Sequence, residues 1–462
     1  MQPLFDFLGN FVGGPANAFI LVAALVKIVA IVGGLLQVIP FIILFERKII
    51  SWIQDRPGPN RAGPWGILHG ILDGVKLFFK EEIMPKGVDK VLFLMAPALV
   101  VIPAFVALSL VPLGPIIQGQ DLDNLAAFLR LDPAMVGTVG QIKQIAIAIT
   151  NPNVGILYVL AVTSVGVYGI TLAGWSSNNK WSLLGGIRAS AQMVSYEITL
   201  SLAIVAVLLA SGSLNLYDII DTQRGGFWNW NVVALPVAFL LFIVAMFAET
   251  NRLPFDLAEA EAELTGGFHT EYSSMRFALF FLGEYVNMVI VSSMCTTLFL
   301  GGFLGPISMD HLITGGWEGV AHMLGRFGPV AIIAKYALGP MVIMPAKVAC
   351  FIFLFIFIRA TLPRMRYDQL MSLGWKNLLP IGLVNMVIVT CVVAIDLSHK
   401  APDAPPGMTF PAKVICGLIT GILFVAYDRV ILTRGRRKQM TTDYPGLLKI
   451  EENQRRLISQ GY

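Results

Sequence analysis

The stretch AETNRLPFDLAEAEAELTGGFHTEY, Ala248–Tyr272, lies between two long apolar segments of the chain. It contains five glutamates and one aspartate: Glu249, Asp256, Glu259, Glu261, Glu263 and Glu271. Carboxylates near the hydrocarbon of a bilayer are energetically costly, and in membrane proteins they usually have a function. The rest of the chain should therefore be interpreted around this acidic loop.

The composition indicates a membrane protein. Apolar residues occupy 56% of the 462 positions and charged residues only 13%, whereas soluble domains carry about 25% charged residues. The mean hydropathy is +0.73. The apolar runs are continuous and long rather than alternating, which argues against a β-barrel. The sequence therefore predicts an all-α polytopic membrane protein.

Nine apolar segments are long enough to cross a bilayer. They lie near 17–45, 91–118, 152–175, 182–211, 232–250, 273–303, 340–362, 377–397 and 412–432. We expect an eight-span core domain over residues 1–397. Residues 398–462 form a C-terminal extension with the ninth span and a basic tail.

Basic residues predict the orientation of these spans. Of the 33 Lys and Arg residues, 23 fall on the side of the membrane that carries the acidic loop. The positive-inside rule places that side in the cytoplasm, with the N-terminus outside and the C-terminus cytoplasmic. Residues 1–26 contain no Lys or Arg, so no signal peptide is expected.

Residues 65–81, WGILHGILDGVKLFFKE, predict an amphipathic helix in the plane of the membrane surface. Three stripes recur at helical spacing: apolar Leu68, Leu72, Val75 and Phe79; polar His69, Asp73, Lys76 and Lys80; and Gly66, Gly70 and Gly74, where another helix can approach closely. Two interpretations stay open. The segment is a simple membrane anchor, or it forms the wall of a cavity that opens to the bilayer.

Three acids lie in or at the end of predicted spans: Glu197 in the fourth, Glu249 at the end of the fifth and Glu284 in the sixth. Intramembrane acids commonly mark proton paths, and burial disfavours their charged form. The alternative is a structural ion pair with a nearby Lys or Arg. Lys27 and Lys347 also lie within spans, and each either snorkels to the surface or pairs with an acid.

The acidic loop itself allows two interpretations. If it is helical, Asp256, Glu259 and Glu263 share one face and Glu261 points away. Like charges at that spacing repel one another. The alternative is a solvated loop with no special role.

The four cysteines, Cys295, Cys350, Cys391 and Cys416, all lie in apolar segments and form no C-x-x-C pair. We therefore expect small packing residues and no metal site.

Five motifs resemble those of one family. They are ERK at 46–48 with the following QDRPGPNRAGP at 54–64, DGVKLFFKE at 73–81, SSNNKWSLLGGIRASAQMVSYEI at 176–198, the run from AETNRLPFDLAEAEAEL to EYSSMRFALFFLGEYVNM at 248–288, and LPRMRYDQLMSLGWK at 362–376. In these stretches the chain resembles the H subunit (subunit 1 in mitochondria) of proton-pumping NADH:quinone oxidoreductase, respiratory complex I. The resemblance covers about 17–397. Two positions depart from the family's pattern. His69 stands where the family typically has Gln, and Arg276 is an unusual basic residue beside the sixth span.

The resemblance implies a subunit that joins the membrane arm to the hydrophilic arm of a bacterial plasma-membrane complex. Quinone, as substrate, would enter past the first span, the in-plane helix and the sixth span. The residues that this implies for the passage are Arg47, Asp73, Lys76, Phe281 and Arg359. Those implied for proton transfer are Glu197, Glu249, Glu259, Glu261, Glu263 and Glu284.

The same resemblance implies that this chain binds no redox cofactor, since FMN and iron–sulfur clusters belong to partner subunits. The partners would be the quinone-site hydrophilic subunits, the small and antiporter-like membrane subunits, and lipid; nucleic acid is not expected. One alternative is the membrane anchor of a related hydrogenase or ferredoxin-linked complex. A stand-alone proton or cation transporter is a third interpretation.

Overall fold

The computed structural model describes residues 15–118, 144–256, 267–305, 339–400 and 407–443. Within these ranges, eight helices are long and apolar enough to cross a membrane, and one further apolar helix is shorter. Each of them overlaps one of the nine predicted spans, and the all-α fold class is confirmed. Glu259, Glu261 and Glu263 lie outside the described residues, so neither interpretation of the acidic loop is tested.

The helices, in chain order, are α1 Pro15–Ile53, α2 His69–Phe79, α3 Lys90–Leu108, α4 Gly155–Ser176, α5 Lys180–Ser211, α6 Leu216–Asp221, α7 Asn231–Ala234, α8 Pro236–Glu249, α9 Ser274–Phe299, α10 Gly339–Thr361, α11 Tyr367–Ser372, α12 Leu379–His399 and α13 Phe410–Asp443. A π-helical turn, Leu373–Leu378, joins α11 to α12. Two short strands, β1 Ile116–Gln118 and β2 Gln144–Ala146, pair in antiparallel fashion.

The predicted end of the first span at residue 45 is wrong. Helix α1 continues to Ile53 and carries Glu46, Arg47 and Lys48 within it. Charged residues usually mark the end of a span, but here Glu46 is buried among protein groups and is only 4% exposed. A carboxylate that finds partners inside the bundle does not need to leave the membrane.

Two other predicted spans are shorter than expected. The second was predicted to reach residue 118, but α3 ends at Leu108 and the chain passes through Pro112 and Pro115 into β1. The fifth is interrupted at Leu235, directly before Pro236, so that α7 and α8 are separate. In both places proline lacks the N–H that a continuing helix requires.

Helix α5 is the centre of the bundle and packs against α4, α8 and α12. The amphipathic helix α2 packs against both α1 and α9. Gly70 makes this approach to α1 possible, because a Cβ atom there would lie 2.6 Å from the carbonyl oxygen of Pro40. The apolar stripe of α2 faces away from the bundle; Phe79, for example, is 80% exposed.

Three lysines within spans bond to backbone carbonyl groups instead of acids. Lys27 Nζ donates to the carbonyl oxygens of Ala146 (2.8 Å) and Ala148 (3.3 Å). Lys347 Nζ donates to those of Leu300, Gly302 and Leu304 at 2.6–2.8 Å, and Lys413 Nζ to those of Thr222 and Asn229 at 2.8–3.0 Å. The acceptors lie in β2 or in segments between the membrane-spanning helices, all toward the predicted outer side, so these lysines hold those segments by snorkelling.

The ninth span packs on the outside of the core through α13. Ala412 and Cys416 are buried, and the backbone N–H of Met408 donates to the carbonyl oxygen of Ala210 at 2.8 Å. Asp396 of α12 accepts hydrogen bonds from the backbone N–H (3.0 Å) and the hydroxyl group of Thr409, which closes the α12–α13 hairpin. The extension is thus attached by both packing and polar contacts.

Gly417 allows α13 to approach the core closely. A Cβ atom at Gly417 would lie 2.2 Å from the carbonyl oxygen of Val233, whereas one at Gly421 would meet nothing within 4 Å. We predict that Gly417→Val destabilises the protein by about 1–3 kcal/mol, because it overpacks this contact. Gly421→Val is the matched control. The midpoints of thermal unfolding of the two variants in detergent test this; equal midpoints would contradict the packing described here.

Candidate functional site

A cluster of buried charges surrounds Glu46 of α1. Its Oε1 atom accepts from Arg252 Nη1 at 2.9 Å and also from Arg359 Nη1 of α10. Its Oε2 atom accepts from the Tyr285 hydroxyl group of α9 at 2.7 Å. Arg252 also forms an ion pair with Glu284 of α9. This charge cluster, Glu46, Arg252, Glu284, Tyr285 and Arg359, joins three helices and the segment after α8.

Burial makes the ion pairs of the charge cluster strong. The side chains of Glu46, Arg252 and Glu284 are 6–9% exposed. Two acids face two arginines, so the cluster carries no net charge when all are ionised. Burial by itself would lower the pKa of Arg252, but the carboxylates of Glu284 and Glu46 raise it well above its usual value. The guanidinium also lies 4.5 Å from the centre of the Tyr285 ring, a cation–π contact.

The segment that presents Arg252 is fixed by Gln192 of α5. The Nε2 atom of Gln192 donates to the carbonyl oxygens of Ala248 (2.9 Å) and Phe255 (2.8 Å). It therefore bridges the end of α8 and the start of the acidic loop, on both sides of Arg252. Asn251, next to Arg252, has a positive φ of 50° and also contacts Gln192. This backbone is set by buried hydrogen bonds and not by regular secondary structure.

A second ion pair lies beside the charge cluster. Arg47 Nη1 is 2.7 Å from Asp73 Oδ2, which attaches α1 to α2, and both side chains are partly exposed. Lys76 is exposed on α2, and Phe281 is partly buried against Phe277, with ring centres 4.6 Å apart. Of the five residues implied for the quinone passage, the structure brings Arg47 and Asp73 into contact and places Arg359 on Glu46, the neighbour of Arg47.

Two acids of the spans, Glu249 and Glu284, border small cavities. A cavity of about 30 Å³ is lined by Glu284, Glu249 and Asn287, among others, and one of about 20 Å³ by Glu249, Thr163 and Ile290. One water molecule needs roughly 10–15 Å³ of such space. Each cavity therefore has room for at least one water molecule, and Glu249 borders both.

Glu249 also faces Glu197. The Glu249 Oε2 atom is buried without a hydrogen-bond partner among the described residues, and the carboxyl group of Glu197 is near enough to interact with it electrostatically. Glu197 itself accepts a hydrogen bond from the Ser164 hydroxyl group. Glu284, Glu249 and Glu197 thus form a series across α9, α8 and α5.

Sequence reasoning misses three members of the charge cluster: Glu46, Arg252 and Tyr285. Glu46 lies one residue beyond the predicted end of the first span, so hydropathy does not identify it as an intramembrane acid. Arg252 stands out in the sequence only as part of a motif. Glu284 pairs with Arg252, the structural ion pair that is the alternative to a proton path for the intramembrane acids. Arg276 forms an ion pair with Glu82 at 2.8 Å.

These features define a class: a helical multi-pass membrane protein with a neutral cluster of buried charges and a series of intramembrane acids. The family model described as NADH dehydrogenase matches residues 26–390. This chain belongs to that family.

Three relatives, all of them H subunits of NADH-quinone oxidoreductases, are similar over most of the chain. The one from Koribacter versatilis, the H subunit numbered 2, is 43% identical over 82% of this chain and 99% of its own length. The one from Leptospira biflexa is 46% identical over 78% of this chain and 91% of its own length. The one from Streptomyces avermitilis is 44% identical over 79% of this chain and 72% of its own length.

Removal of one hydroxyl group tests the strength of the charge cluster. Tyr285 donates to a carboxylate at 2.7 Å, whereas Tyr196, also buried, donates to the neutral carbonyl oxygen of Leu370 at 3.0 Å. We predict that Tyr285→Phe costs about 1.5–3 kcal/mol of stability and Tyr196→Phe only about 0.5–1.5 kcal/mol.

Thermal unfolding of both variants in the same detergent measures the difference. Both tyrosine substitutions are then repeated in a Glu46→Gln variant, which lacks the negative charge of Glu46. In the Glu46→Gln background, Tyr285→Phe should cost no more than Tyr196→Phe. An unchanged difference would show that the charge of Glu46 does not strengthen the Tyr285 bond.

Proposed function

We propose that this chain is the membrane subunit of an NADH:quinone oxidoreductase that forms much of the quinone-access chamber and couples quinone reduction to proton translocation. The observation that carries the proposal is the charge cluster, which joins α1, α9 and α10 and whose member Glu284 lines a cavity together with Glu249. The names of the relatives supply the substrate class. The complex would be a translocase in a bacterial plasma membrane.

The first step is access for the substrate. The exposed apolar face of α2 favours contact with lipid, and the Arg47–Asp73 pair stands where α1 meets α2. An isoprenoid tail needs an apolar route, and a quinone head needs a few polar groups. Residues Arg47, Asp73, Lys76, Phe281 and Arg359 would line this route.

The second step is the proton supply. Reduction of a quinone to a quinol takes up two electrons and two protons; the electrons would come from NADH through FMN and iron–sulfur clusters of partner subunits. A negative charge that develops near the charge cluster attracts Arg252 and Arg359, which weakens their hold on Glu46 and Glu284. A carboxylate with weaker partners accepts a proton more readily.

The third step is transfer along the acids. Glu249 borders the cavity that it shares with Glu284 and the one that reaches Thr163. Side chains or water in these cavities can pass a proton from Glu284 to Glu249 and then toward Glu197. Glu259, Glu261 and Glu263 in the acidic loop would extend the series.

The remaining assignments follow from this proposal. Residues 1–397 would be the chamber domain that joins the hydrophilic arm to the small and antiporter-like membrane subunits. Residues 398–462 would be an accessory extension. The acidic loop and the C-terminus would face the cytoplasm.

Glu249→Gln tests the coupling role, because it retains the side-chain shape and removes the titrating group. In the assembled complex we expect NADH-dependent quinone reduction to continue while proton translocation in sealed vesicles falls. Asp221→Asn is the control, since Asp221 is an exposed acid paired with Arg224. Normal proton translocation by a fully assembled Glu249→Gln complex would contradict the role of Glu249.

Arg47→Ala tests the access role. If Arg47 bonds to the quinone head, its loss costs about 1.5–3 kcal/mol and lowers kcat/KM for quinone roughly tenfold or more. Electron transfer from NADH to ferricyanide should be unchanged. Arg61→Ala, at an exposed position of the adjacent connector, is the control.

An Asp73→Asn variant separates two roles of Arg47. If the arginine only fixes α2 through its ion pair, both variants lose the same activity. If it contacts quinone, Arg47→Ala loses more. Unchanged kinetics for quinone in Arg47→Ala would remove this residue from the passage.

A further inference from the structure

The last turn of α2 is attached to α9 through one hydroxyl group. Ser274, the first residue of α9, shares its hydroxyl hydrogen between the carbonyl oxygens of Leu77 (3.0 Å) and Lys80 (2.9 Å). Carbonyl groups in the last turn of a helix have no partner within that helix. Ser274 therefore supplies, from a neighbouring helix, a donor that α2 cannot supply for itself.

The backbone at Ser274 has an unusual conformation for a serine. Its φ is 55°, in the left-handed region that residues with a side chain rarely adopt. The residue is also only 4% exposed. A conformation of this kind persists because the surrounding structure holds it, and such residues are concentrated at functional sites. In this conformation the Ser274 hydroxyl group meets both carbonyl oxygens at the end of α2.

Two further contacts hold the segment that follows α2. The backbone N–H of Ile83 donates to the Ser273 hydroxyl oxygen at 3.0 Å, and Arg276 forms its ion pair with Glu82 at 2.8 Å. Both partners lie beyond the end of α2. Of these three contacts, only that of Ser274 reaches the helix itself.

The turn that Ser274 holds carries two exposed phenylalanines. Phe78 and Phe79 lie between the bonded residues Leu77 and Lys80 and are 66% and 80% exposed. Their ring centres are 5.5 Å apart, so the two rings form one apolar surface on the amphipathic helix. An apolar surface of this kind favours contact with an apolar chain that arrives from the bilayer.

We propose that Ser274 is a positioning residue for the isoprenoid tail of the quinone. Its hydroxyl group fixes the turn of α2 that presents Phe78 and Phe79 to the tail. The inference rests on the proposed access role of α2. The polar groups assigned to the headgroup, Arg47 and Asp73, are held by their own ion pair about one turn earlier in α2, so loss of the Ser274 bond acts on the tail and not on the headgroup.

Three substitutions in the assembled complex test this role. Ser274→Ala removes the hydroxyl group, and Ser274→Gly removes it in a residue that suits the left-handed backbone. Ser274→Asn keeps a donor in a residue type that is enriched at positive φ. Ser273→Ala is the matched control, because it removes a neighbouring hydroxyl group whose partner lies beyond α2.

Quinone reduction is measured in vesicles with two quinones that share one headgroup. One carries a single isoprenoid unit and the other a full-length tail. With the long-tailed quinone, Ser274→Ala and Ser274→Gly should lower kcat/KM about two- to tenfold, the factor for the loss of one neutral hydrogen bond, through a higher KM. Reduction of the short-tailed quinone should be unchanged, and Ser274→Asn and Ser273→Ala should behave like the wild type with both.

Three results would overturn the proposal. An equal loss with both quinones would show that Ser274 supports the fold and not the passage of the tail. Unchanged kinetics with both quinones would remove Ser274 from the passage. A loss in Ser274→Ala that Ser274→Gly does not share would assign the effect to the backbone conformation and not to the hydroxyl group.

The same measurements separate this inference from the proposed function. If Arg47→Ala impairs quinone reduction while the Ser274 variants behave like the wild type, only the positioning role fails. If Arg47→Ala leaves the quinone kinetics unchanged, the access role fails, and the positioning role fails with it.

Discussion

The ion pairs and the hydrogen bond of the Glu46 carboxylate are the interactions on which the candidate site depends. This carboxylate accepts from Arg252, Arg359 and Tyr285, and thereby joins α1, α9, α10 and the segment after α8. Removing one member of a buried ion pair leaves an uncompensated charge, which costs about 3–5 kcal/mol. The positions of these helices and the charges of the cluster therefore depend on each other. The same contacts that hold the helices together also set the protonation of the groups among them.

A neutral cluster of this kind responds strongly to a change of one charge. In a medium of low polarity, a charge added or removed nearby is poorly screened and must be compensated by proton uptake or by a shift of a side chain. Glu284 is the member that also borders the cavity of Glu249. Under the proposed function, a disturbance on the side of Arg47 and Asp73 would reach the acids of α8 and α5 through the charge cluster and this cavity.

Much of the fold could be predicted from the sequence because hydrophobic length determines where a helix crosses a membrane. All nine predicted spans have a helix, and the amphipathic pattern of 65–81 corresponds to α2. The site was less predictable. Glu284 and Glu249 are recognisable because an acid in an apolar run is conspicuous, whereas Glu46 stands next to Arg47 and Lys48 and resembles the end of a span. Arg252 and Tyr285 acquire their importance only from tertiary contacts, which hydropathy does not contain.

The hydrogen bonds from lysines to backbone carbonyl groups determine how freely the sequences of the accepting loops can change. Lys27, Lys347 and Lys413 bind main-chain oxygens of residues 146–148, 300–304 and 222–229. Any amino acid supplies such an oxygen, so substitutions in these loops leave the acceptors in place as long as the backbone path is kept. Each lysine, in contrast, has a reach and a charge that few residues provide. The sequences of these loops can therefore change while their positions persist, because the lysines that hold them lie in the helices.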